Sequence, residues 1–279
     1  MELILELSGC HGGEEKNALQ WIREAKKVGA DAVKFQIFMP HRLADQRDKR
    51  FPRLAAKWGY QGLLDLYLKT HTPMEWFPSM IDLCKELQLP WFASVFSKED
   101  ADFALQLDIP RFKISSYEAP DYDLIAYCAR HKKPMLISIN QDSPRDVMMN
   151  AALVADAQYG NISGLALPTW VHDDLTILHA TNYGVALPKA NLWRILDFRN
   201  ALRNDIKLGL SDHTHSHTAG SMAATMGIDV YERHMKLHNV PSPDDEFASY
   251  PEDIAGIFDA IRISERGDFR VNVPPVAGS

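Results

Sequence analysis

Short apolar runs and amphipathic segments alternate eight times along this chain, and this alternation constrains the fold more than any other feature. The predicted strands are Glu2–Leu7, Ala32–Phe38, Trp91–Phe96, Arg111–Ser116, Met135–Asn140, Thr176–Ala180, Ile206–Ser211 and Val230–Met235. The predicted helices are Asn17–Val28, Pro73–Leu87, Lys98–Leu107, Asp123–Lys132, Ser143–Gln158, Leu192–Leu202, His217–Met226 and Pro251–Ser264. Eight βα units in one chain favour an α/β fold whose strands close into a (β/α)₈ barrel, known as the TIM barrel. An open doubly wound sheet is the less favoured alternative.

Two stretches interrupt the alternation. Met39–Thr72 is a long, charged connection after the second strand, and Asn161–Asp174 adds an apolar piece before the sixth. Long connections in compact domains are usually functional or mobile. Because the chain has no internal repeat, low-complexity tract or linker, we expect residues 1–279 to form a single barrel domain.

Charge and cysteine content exclude several classes of protein. The formal net charge of −7 argues against nucleic acid as a partner, because phosphate binding needs clustered basic residues. No apolar run approaches the roughly 18 residues needed to cross a membrane, so we expect no membrane partner. Cys10, Cys84 and Cys128 are far apart and odd in number, which indicates free thiols and a cytoplasmic location.

Two lysines lie within otherwise apolar strands. Alternation places Lys113 and Ser115 on the inward side of their strand, with Phe112 and Ile114 towards the helices, and Lys34 lies near the end of an earlier strand. Burying a lysine is costly unless it meets a carboxylate or an anion. A structural Lys–Glu pair would explain one such lysine, but two on nearby strands favour a shared anionic ligand.

A serine lies near the end of each of three predicted strands, and these serines are Ser94, Ser115 and Ser138. The C-terminal ends of barrel strands meet at one face, where active sites are built. Each serine alone is commonly a small polar residue at a strand end. Together with the two lysines, the three hydroxyls indicate a cradle for a small polyanion.

Two histidines indicate a metal site at the same face. His213 follows the seventh strand and His234 ends the eighth, so the two are neighbours, and Glu232 lies on the same side of the strand as His234. Imidazole ligands suit Mn²⁺, Fe²⁺ or Zn²⁺ better than Mg²⁺ or Ca²⁺. The spacing of His213, His215 and His217 alone would also permit a zinc site.

Five motifs, in this order, resemble the catalytic barrel of the N-acetylneuraminate (sialic acid) synthase family over nearly the whole chain. They read GADAVKFQ, FKISSYE, KPMLIS, GLSDHT and YERHMKLHNVPSPDDEFAS. The resemblance implies an enzyme that condenses phosphoenolpyruvate with an N-acylated hexosamine such as N-acetylmannosamine. Phosphate and a nine-carbon 2-keto acid would be the products.

The resemblance also implies roles for individual residues. The implied phosphoenolpyruvate contacts are Lys34, Ser94, Lys113, Ser115, Ser138 and Asn182. The implied catalytic residues are Glu118, Lys113 and Lys34, and Glu118 would manage the proton of the attacking water or stabilise the cationic carbon. His213 and His234 match the metal ligands, usually of Mn²⁺, with Mg²⁺, Co²⁺, Zn²⁺ or Fe²⁺ as alternatives. Glu232 and Asp244 match residues that hold the acceptor sugar.

The departures from the family pattern fall on the acceptor side and in loops, so the resemblance supports the donor better than the acceptor. Cys10 stands where the family has asparagine, and it could add a thiolate to the metal or simply pack as a small apolar residue. Tyr183 is displaced from the usual Tyr-Pro pair, and Ile139–Asn140 replaces Thr-Gly. We expect only the barrel, without the antifreeze-like domain that in the family normally lends an arginine to a partner's acceptor site. A homodimer is a further possibility.

Three other functions remain open from the sequence. A 3-deoxy-octulosonate-phosphate type of synthase would take a phosphorylated aldose and need further cations, for which Arg42, Arg47, Arg50 and Arg53 are available. A metal hydrolase could use the histidines at 213, 215 and 217 but leaves the inward lysines unexplained. A non-catalytic binding barrel is disfavoured because the lysines, Glu118 and both predicted metal ligands are retained together.

Overall fold

Eight parallel strands form a closed barrel in chain order, which confirms the predicted fold class. The computed structural model describes residues 1–48, 56, 59–159, 175–202 and 206–266. The strands are β1 Glu2–Glu6, β2 Ala32–Ile37, β3 Trp91–Val95, β4 Phe112–Ile114, β5 Met135–Asn140, β6 Leu175–Ala180, β7 Lys207–Asp212 and β8 Val230–His234. The barrel closes where β1 pairs with β8, from Glu2 opposite Val230 to Glu6 opposite His234.

Ten α-helices surround the barrel within the described ranges. They are α1 Glu15–Lys27, α2 Pro40–Asp48, α3 Leu63–Thr70, α4 Phe77–Glu86, α5 Lys98–Gln106, α6 Tyr122–Ala129, α7 Arg145–Tyr159, α8 Arg194–Ala201, α9 Ala219–Thr225 and α10 Pro251–Glu265. Eight of them match the predicted helices within a few residues. The other two, α2 and α3, lie in the long connection Met39–Thr72, for which the sequence predicted no helix. The extra apolar piece, Asn161–Asp174, falls outside the described residues.

The barrel interior changes from apolar to polar along the strands. At the N-terminal end, six inward side chains form a small buried cluster, and they are Ile4, Ala32, Phe92, Leu136, Leu178 and Val230. Two residues further along these strands, the inward positions are Glu6, Lys34, Ser94, Ser138, Ala180 and Glu232. The apolar layer therefore closes the bottom of the barrel interior, and five of the six side chains in the layer directly above it are polar. The outward side chains build the larger apolar layer against the helices.

Helices α2 and α3 form a cap over the β2 and β3 side of the barrel mouth. They have their own small core, consisting of Phe38, Leu43, Ala44, Leu63, Leu66, Tyr67 and Phe96. Phe38 and Phe96 follow the ends of β2 and β3, so this core joins the cap directly to the barrel. Within the described part of the chain, no helix is long and apolar enough to cross a membrane. All three cysteines are free and buried.

Candidate active site

A cavity opens at the C-terminal ends of the strands, where a TIM barrel carries its active site. Nine of the eleven predicted site residues line it, namely Lys34, Ser94, Lys113, Ser115, Ser138, His213, Glu232, His234 and Asp244. They come from five strands and three connecting segments that are distant in sequence. The cap adds an apolar wall to the same cavity through Phe38, Leu43, Leu66 and Tyr67.

Two buried lysines and two buried glutamates form the floor of this cavity. The ammonium group of Lys113 donates to both carboxylate oxygens of Glu232, at 3.0 and 2.9 Å. Lys34 pairs with Glu6, lies 3.5 Å from Glu232 and donates to the Ser94 hydroxyl at 3.2 Å. These four charged residues are at most 4% exposed. Both lysines therefore have buried carboxylate partners, and both also line the cavity. Sequence reasoning missed Glu6 as a partner.

The charges of the floor stabilise one another. Burial opposes ionisation of Glu232, but Lys113 and Lys34 hold its pKa well below the usual range. Burial lowers the pKa of Lys113 to about 8, although Glu232 opposes that shift. Burial also acts against the charged form of Lys34, yet Glu232 and Glu6 raise its pKa above the ordinary value. The floor therefore holds two ammonium groups whose charge is balanced by carboxylates.

The predicted serine hydroxyls differ in their bonding. Ser94 accepts from Lys34, and Ser115 donates to Glu118. The hydroxyl of Ser138 is buried and has no hydrogen-bond partner among the described residues. A buried hydroxyl without a partner costs roughly 1–3 kcal/mol. A ligand oxygen in the cavity would satisfy it, which fits an anion site beside the lysines.

His213 and His234 face each other above the floor, with ring centroids 5.2 Å apart. The Nδ1 atom of His213 donates to the carbonyl oxygen of Thr181 at 2.7 Å, and Nδ1 of His234 bonds Oδ2 of Asp244 at 3.0 Å. In the neutral ring, each of these bonds favours the tautomer with hydrogen on Nδ1, which leaves Nε2 as the atom that can bind a metal. Burial and the neighbouring His234 lower the pKa of His213 to about 3, which keeps its ring neutral.

This donor set fits a divalent metal with two protein ligands. Ligating histidines usually bond a carbonyl or carboxylate through their second nitrogen, as both do here. Among the described residues, no group of three or more His, Cys, Asp or Glu side chains could hold an ion. His215 and His217 are exposed and do not join His213 in a three-histidine site.

Cys10 is not the third member of such a cluster. Its thiol is fully buried, donates towards Oδ2 of Asp244 at 3.7 Å and accepts from the Ser242 hydroxyl at 3.5 Å. Burial, with Asp244 adding to the effect, raises the pKa of the thiol well above its ordinary value. Because the thiol already bonds Asp244 and Ser242, the geometry favours the packing interpretation of Cys10.

Glu118 is held by an arginine of the cap. Arg47, on α2, donates to both carboxylate oxygens of Glu118 at 2.8 Å and to the Tyr67 hydroxyl at 3.0 Å. Its guanidinium also lies over the rings of Tyr67, Phe96 and Tyr117, and it lines the cavity, whereas Glu118 lies behind it. Although burial opposes it, Glu118 raises the pKa of Arg47 above the ordinary value.

From the sequence, Arg47 is predicted only as one of several cations in a long connection. The sequence carried a signal for its true setting: Pro40 suits a helix start, and Leu43, Ala44 and Arg47 follow at helical spacing.

Asn182 is not among the residues that line the cavity. Its side chain accepts from Asn140 at 2.8 Å and donates to Asp142 at 2.6 Å. The next residue, Tyr183, lines the cavity instead. Its ring stacks on Phe247, with centroids 4.8 Å apart, and meets the His213 ring edge-on at 4.7 Å. This aromatic group covers the histidine pair on one side.

Comparison with known proteins gives one consistent result. Residues 21–268 match the NeuB family. Pseudaminic acid synthase of Campylobacter jejuni is 30% identical over 266 residues, covering 94% of this chain and 73% of that protein. N,N'-diacetyllegionaminic acid synthase of Legionella pneumophila is 26% identical over 272 residues, covering 94% and 72%. The crystal structure of the Bacillus subtilis spore coat polysaccharide biosynthesis protein SpsE superposes with a TM-score of 0.77 at 27% identity, covering 95% and 68%.

A closed (β/α)₈ barrel with buried cations and paired imidazoles at its mouth defines a class of barrel enzymes that act on small anionic substrates. Within that class, the chain belongs to the NeuB family. The family predicted from the five sequence motifs is thereby confirmed.

Proposed function

We propose that this protein is a phosphoenolpyruvate-condensing synthase. It would join phosphoenolpyruvate to a sugar aldehyde of the N-acetylmannosamine type, giving a nine-carbon 2-keto-3-deoxy sugar acid and phosphate, with residues 1–279 as one catalytic barrel. One observation carries the proposal: buried lysines, a hydroxyl without a partner and two hydrogen-bonded imidazoles line one cavity in a NeuB-family chain. The similarity to pseudaminic and legionaminic acid synthases supports an amino-sugar-derived acceptor.

The floor of the cavity suits the donor. Phosphoenolpyruvate carries a carboxylate and a phosphate, so it needs several convergent donors. An ammonium group has three N–H donors, so Lys34 and Lys113 can keep their glutamates and still bind anion oxygens. The free hydroxyl of Ser138, with Ser94 and Ser115 nearby, would complete the contacts. Fixed donors in a buried site stabilise the developing phosphate without reorganisation.

The histidine pair would hold the metal through the two Nε2 atoms. We propose Mn²⁺, with Mg²⁺, Co²⁺, Zn²⁺ or Fe²⁺ as alternatives. A bound divalent ion supplies Lewis-acid polarisation of the acceptor's aldehyde oxygen. Neutral His213 suits this role because a protonated imidazole has no lone pair to offer.

Glu118 is the proposed acid–base group. It lies behind Arg47 and Ser115, which line the cavity, and these two residues would orient its carboxylate. Glu232 and Asp244 are the proposed acceptor contacts, since both line the cavity. Their carboxylates already bond Lys113 and His234, so an acceptor hydroxyl would share them rather than replace those partners. The apolar wall of the cap would face the less polar part of the sugar.

The competing functions have less support. A phosphorylated acceptor needs free cations, yet Arg42 pairs with Asp100 and Arg47 pairs with Glu118, while Arg50 and Arg53 lie outside the described residues. The metal hydrolase lacks a three-ligand cluster within the described ranges. A cytoplasmic location and a possible homodimer stay predictions, which cell fractionation and light scattering would test.

A phosphate-release assay tests the proposed function. The purified protein would be incubated with phosphoenolpyruvate, Mn²⁺ and a panel of aldoses that includes N-acetylmannosamine, related acylated amino sugars and phosphorylated aldoses. Release that depends on one unphosphorylated aldehyde supports the proposal. Release that requires a phosphorylated aldose would instead establish the octulosonate-phosphate type of reaction.

A further inference from the structure

A buried ion pair lies behind the two histidines, on the side of the strands that faces away from the cavity. Asp212 of β7 and Arg233 of β8 are register partners, and each is the chain neighbour of a predicted metal ligand. Nη1 of Arg233 donates to Oδ2 of Asp212 at 2.5 Å, and the Tyr231 hydroxyl donates to the same oxygen at 2.8 Å. Both charged side chains are at most 2% exposed.

The remaining bonds of this pair hold the loop that follows His213. Arg233 donates to the carbonyl oxygens of Thr214 at 3.1 Å and Ser216 at 3.2 Å. The second carboxylate oxygen of Asp212 accepts from the backbone N–H of Thr214 at 2.9 Å. The backbone on both sides of His213 is therefore fixed by the same ion pair.

The same guanidinium reaches the segment beside the other histidine. Nε of Arg233 donates to the Ser249 hydroxyl at 2.8 Å. The backbone N–H of Ser249 donates in turn to the carbonyl oxygen of His234 at 3.0 Å. One arginine thus connects the chain segments that carry His213 and His234, although the two residues are 21 positions apart in the sequence.

A stabilising role alone does not explain this arrangement. Replacing a buried ion pair by apolar residues is often neutral or stabilising, because desolvation offsets the attraction of the charges. A planar guanidinium, however, can bind several acceptors in fixed directions, which a lysine cannot do. The network is therefore better suited to fixing geometry than to adding stability.

We infer that Asp212 and Arg233 are positioning residues that set the spacing of His213 and His234 for a divalent cation. The inference rests on the proposed metal-binding role of the two histidines. Groups behind metal ligands orient them, and their loss typically weakens metal binding about 10- to 100-fold. Neither residue lines the cavity, so neither would touch substrate.

Mn²⁺ titration of purified variants, followed by the electron paramagnetic resonance signal of free Mn²⁺, tests this inference. Arg233→Lys keeps the charge but cannot span Asp212, the two carbonyls and Ser249, so the dissociation constant for Mn²⁺ should rise about 10- to 100-fold. Phosphoenolpyruvate affinity measured without metal should stay unchanged, because the lysine floor is untouched. Asp212→Asn should weaken Mn²⁺ binding in the same direction.

Two control variants separate positioning from general damage. Tyr231→Phe removes one bond of the same network but leaves Arg233 on the loop, so Mn²⁺ affinity should stay within about twofold. Arg194→Lys disrupts another arginine that donates to backbone carbonyls, those of Asn140 and Gln141, and should change stability but not Mn²⁺ affinity.

Folded Arg233→Lys protein that binds Mn²⁺ as tightly as wild type would overturn the inference. If Arg233→Lys does not fold, the same titration of Asp212→Asn decides the inference. If neither variant folds, Ser249→Ala must weaken Mn²⁺ binding, or the inference fails. Loss of Mn²⁺ binding in His213→Ala and His234→Ala is the parallel test of the metal site. If both variants bind Mn²⁺ as tightly as wild type, the proposed metal site is refuted and the inference with it. If both bind Mn²⁺ more weakly but Arg233→Lys binds it normally, only the inference is refuted.

Discussion

Replacing Lys113 by methionine should separate the structural role of this lysine from its role in binding the donor. In the protein, Lys113 lies 2.9 and 3.0 Å from the two oxygens of Glu232, and both side chains are 2% exposed. Removing one partner of a buried pair costs about 3–5 kcal/mol. Because Lys34 remains 3.5 Å from Glu232 and Ser211 still donates to it at 2.8 Å, we expect a loss of stability near the lower figure.

The loss of donor affinity is a separate quantity. A charge-assisted hydrogen bond contributes roughly 1.5–3 kcal/mol. Since every 1.4 kcal/mol is a factor of ten, phosphoenolpyruvate binding should weaken about 10- to 100-fold. Urea unfolding would measure the first effect, and isothermal titration calorimetry with phosphoenolpyruvate would measure the second.

A double variant distinguishes the two roles. Lys113→Met/Glu232→Gln no longer strands a buried charge, so part of the lost stability should return while donor affinity stays weak. Lys26→Met, on the exposed face of α1, serves as the matched control and should change neither quantity. Folded Lys113→Met protein with wild-type affinity for phosphoenolpyruvate would refute the anion-site reasoning, and unchanged stability would refute the reasoning about the buried pair.

Two further predictions concern buried histidine and cysteine. Burial lowers the pKa of His179 to about 4, so the folded state lacks a proton that the unfolded chain takes up below its ordinary pKa of about 6.5. The free energy of unfolding should therefore fall as pH drops from about 6.5 towards 4. In urea unfolding, His179→Gln should reduce the slope of that fall by about 1.4 kcal/mol per pH unit, and an unchanged slope would contradict the prediction. Cys10→Asn should leave the preference between Mn²⁺ and Zn²⁺ unchanged in competitive metal titrations, because the thiol bonds Asp244 and Ser242; a shift towards Mn²⁺ would show ligation.

The fold was predictable because its signal is local. Strand periodicity and the strict alternation of units located seven strands within one residue at each end. The eighth, β4, is shorter than the predicted Arg111–Ser116 but lies within it. The cap was missed because Arg42, Arg47 and other charges in Met39–Thr72 hid a short amphipathic pattern. In the described part of the chain, its apolar side packs against Phe38 and Phe96, which become neighbours once the barrel exists.

The site was predictable in composition but not in pairing. Strand alternation and the rule that active sites lie at the C-terminal face brought Lys34, Lys113, His213 and His234 together correctly. The partners of these residues depend on register and on distances across the barrel. The ion pair of Lys34 with Glu6 illustrates this dependence, because the β1–β2 register places the two residues opposite each other.

The same limit explains the remaining differences. Asn182 was expected at the donor site from its motif position, but its side chain bonds Asn140 and Asp142 outside the cavity lining. The sequence did not indicate a functional role for Arg233. Strand alternation places it between Glu232 and His234 on the outward side, where residues usually pack against the helices. Only the assembled loops show that it holds both histidine segments.

The central claim is that this cavity forms a carbon–carbon bond between phosphoenolpyruvate and a sugar aldehyde. Carbon-13 NMR of a reaction with phosphoenolpyruvate labelled at C3 tests it directly, with Mn²⁺ and the aldose selected by phosphate release. We predict that the vinyl signal is replaced by the methylene signal of a 3-deoxy sugar acid, in equal amount to the phosphate released, and that Lys113→Met abolishes this change. Labelled pyruvate as the sole product, or no new methylene signal with any aldose, would contradict the account.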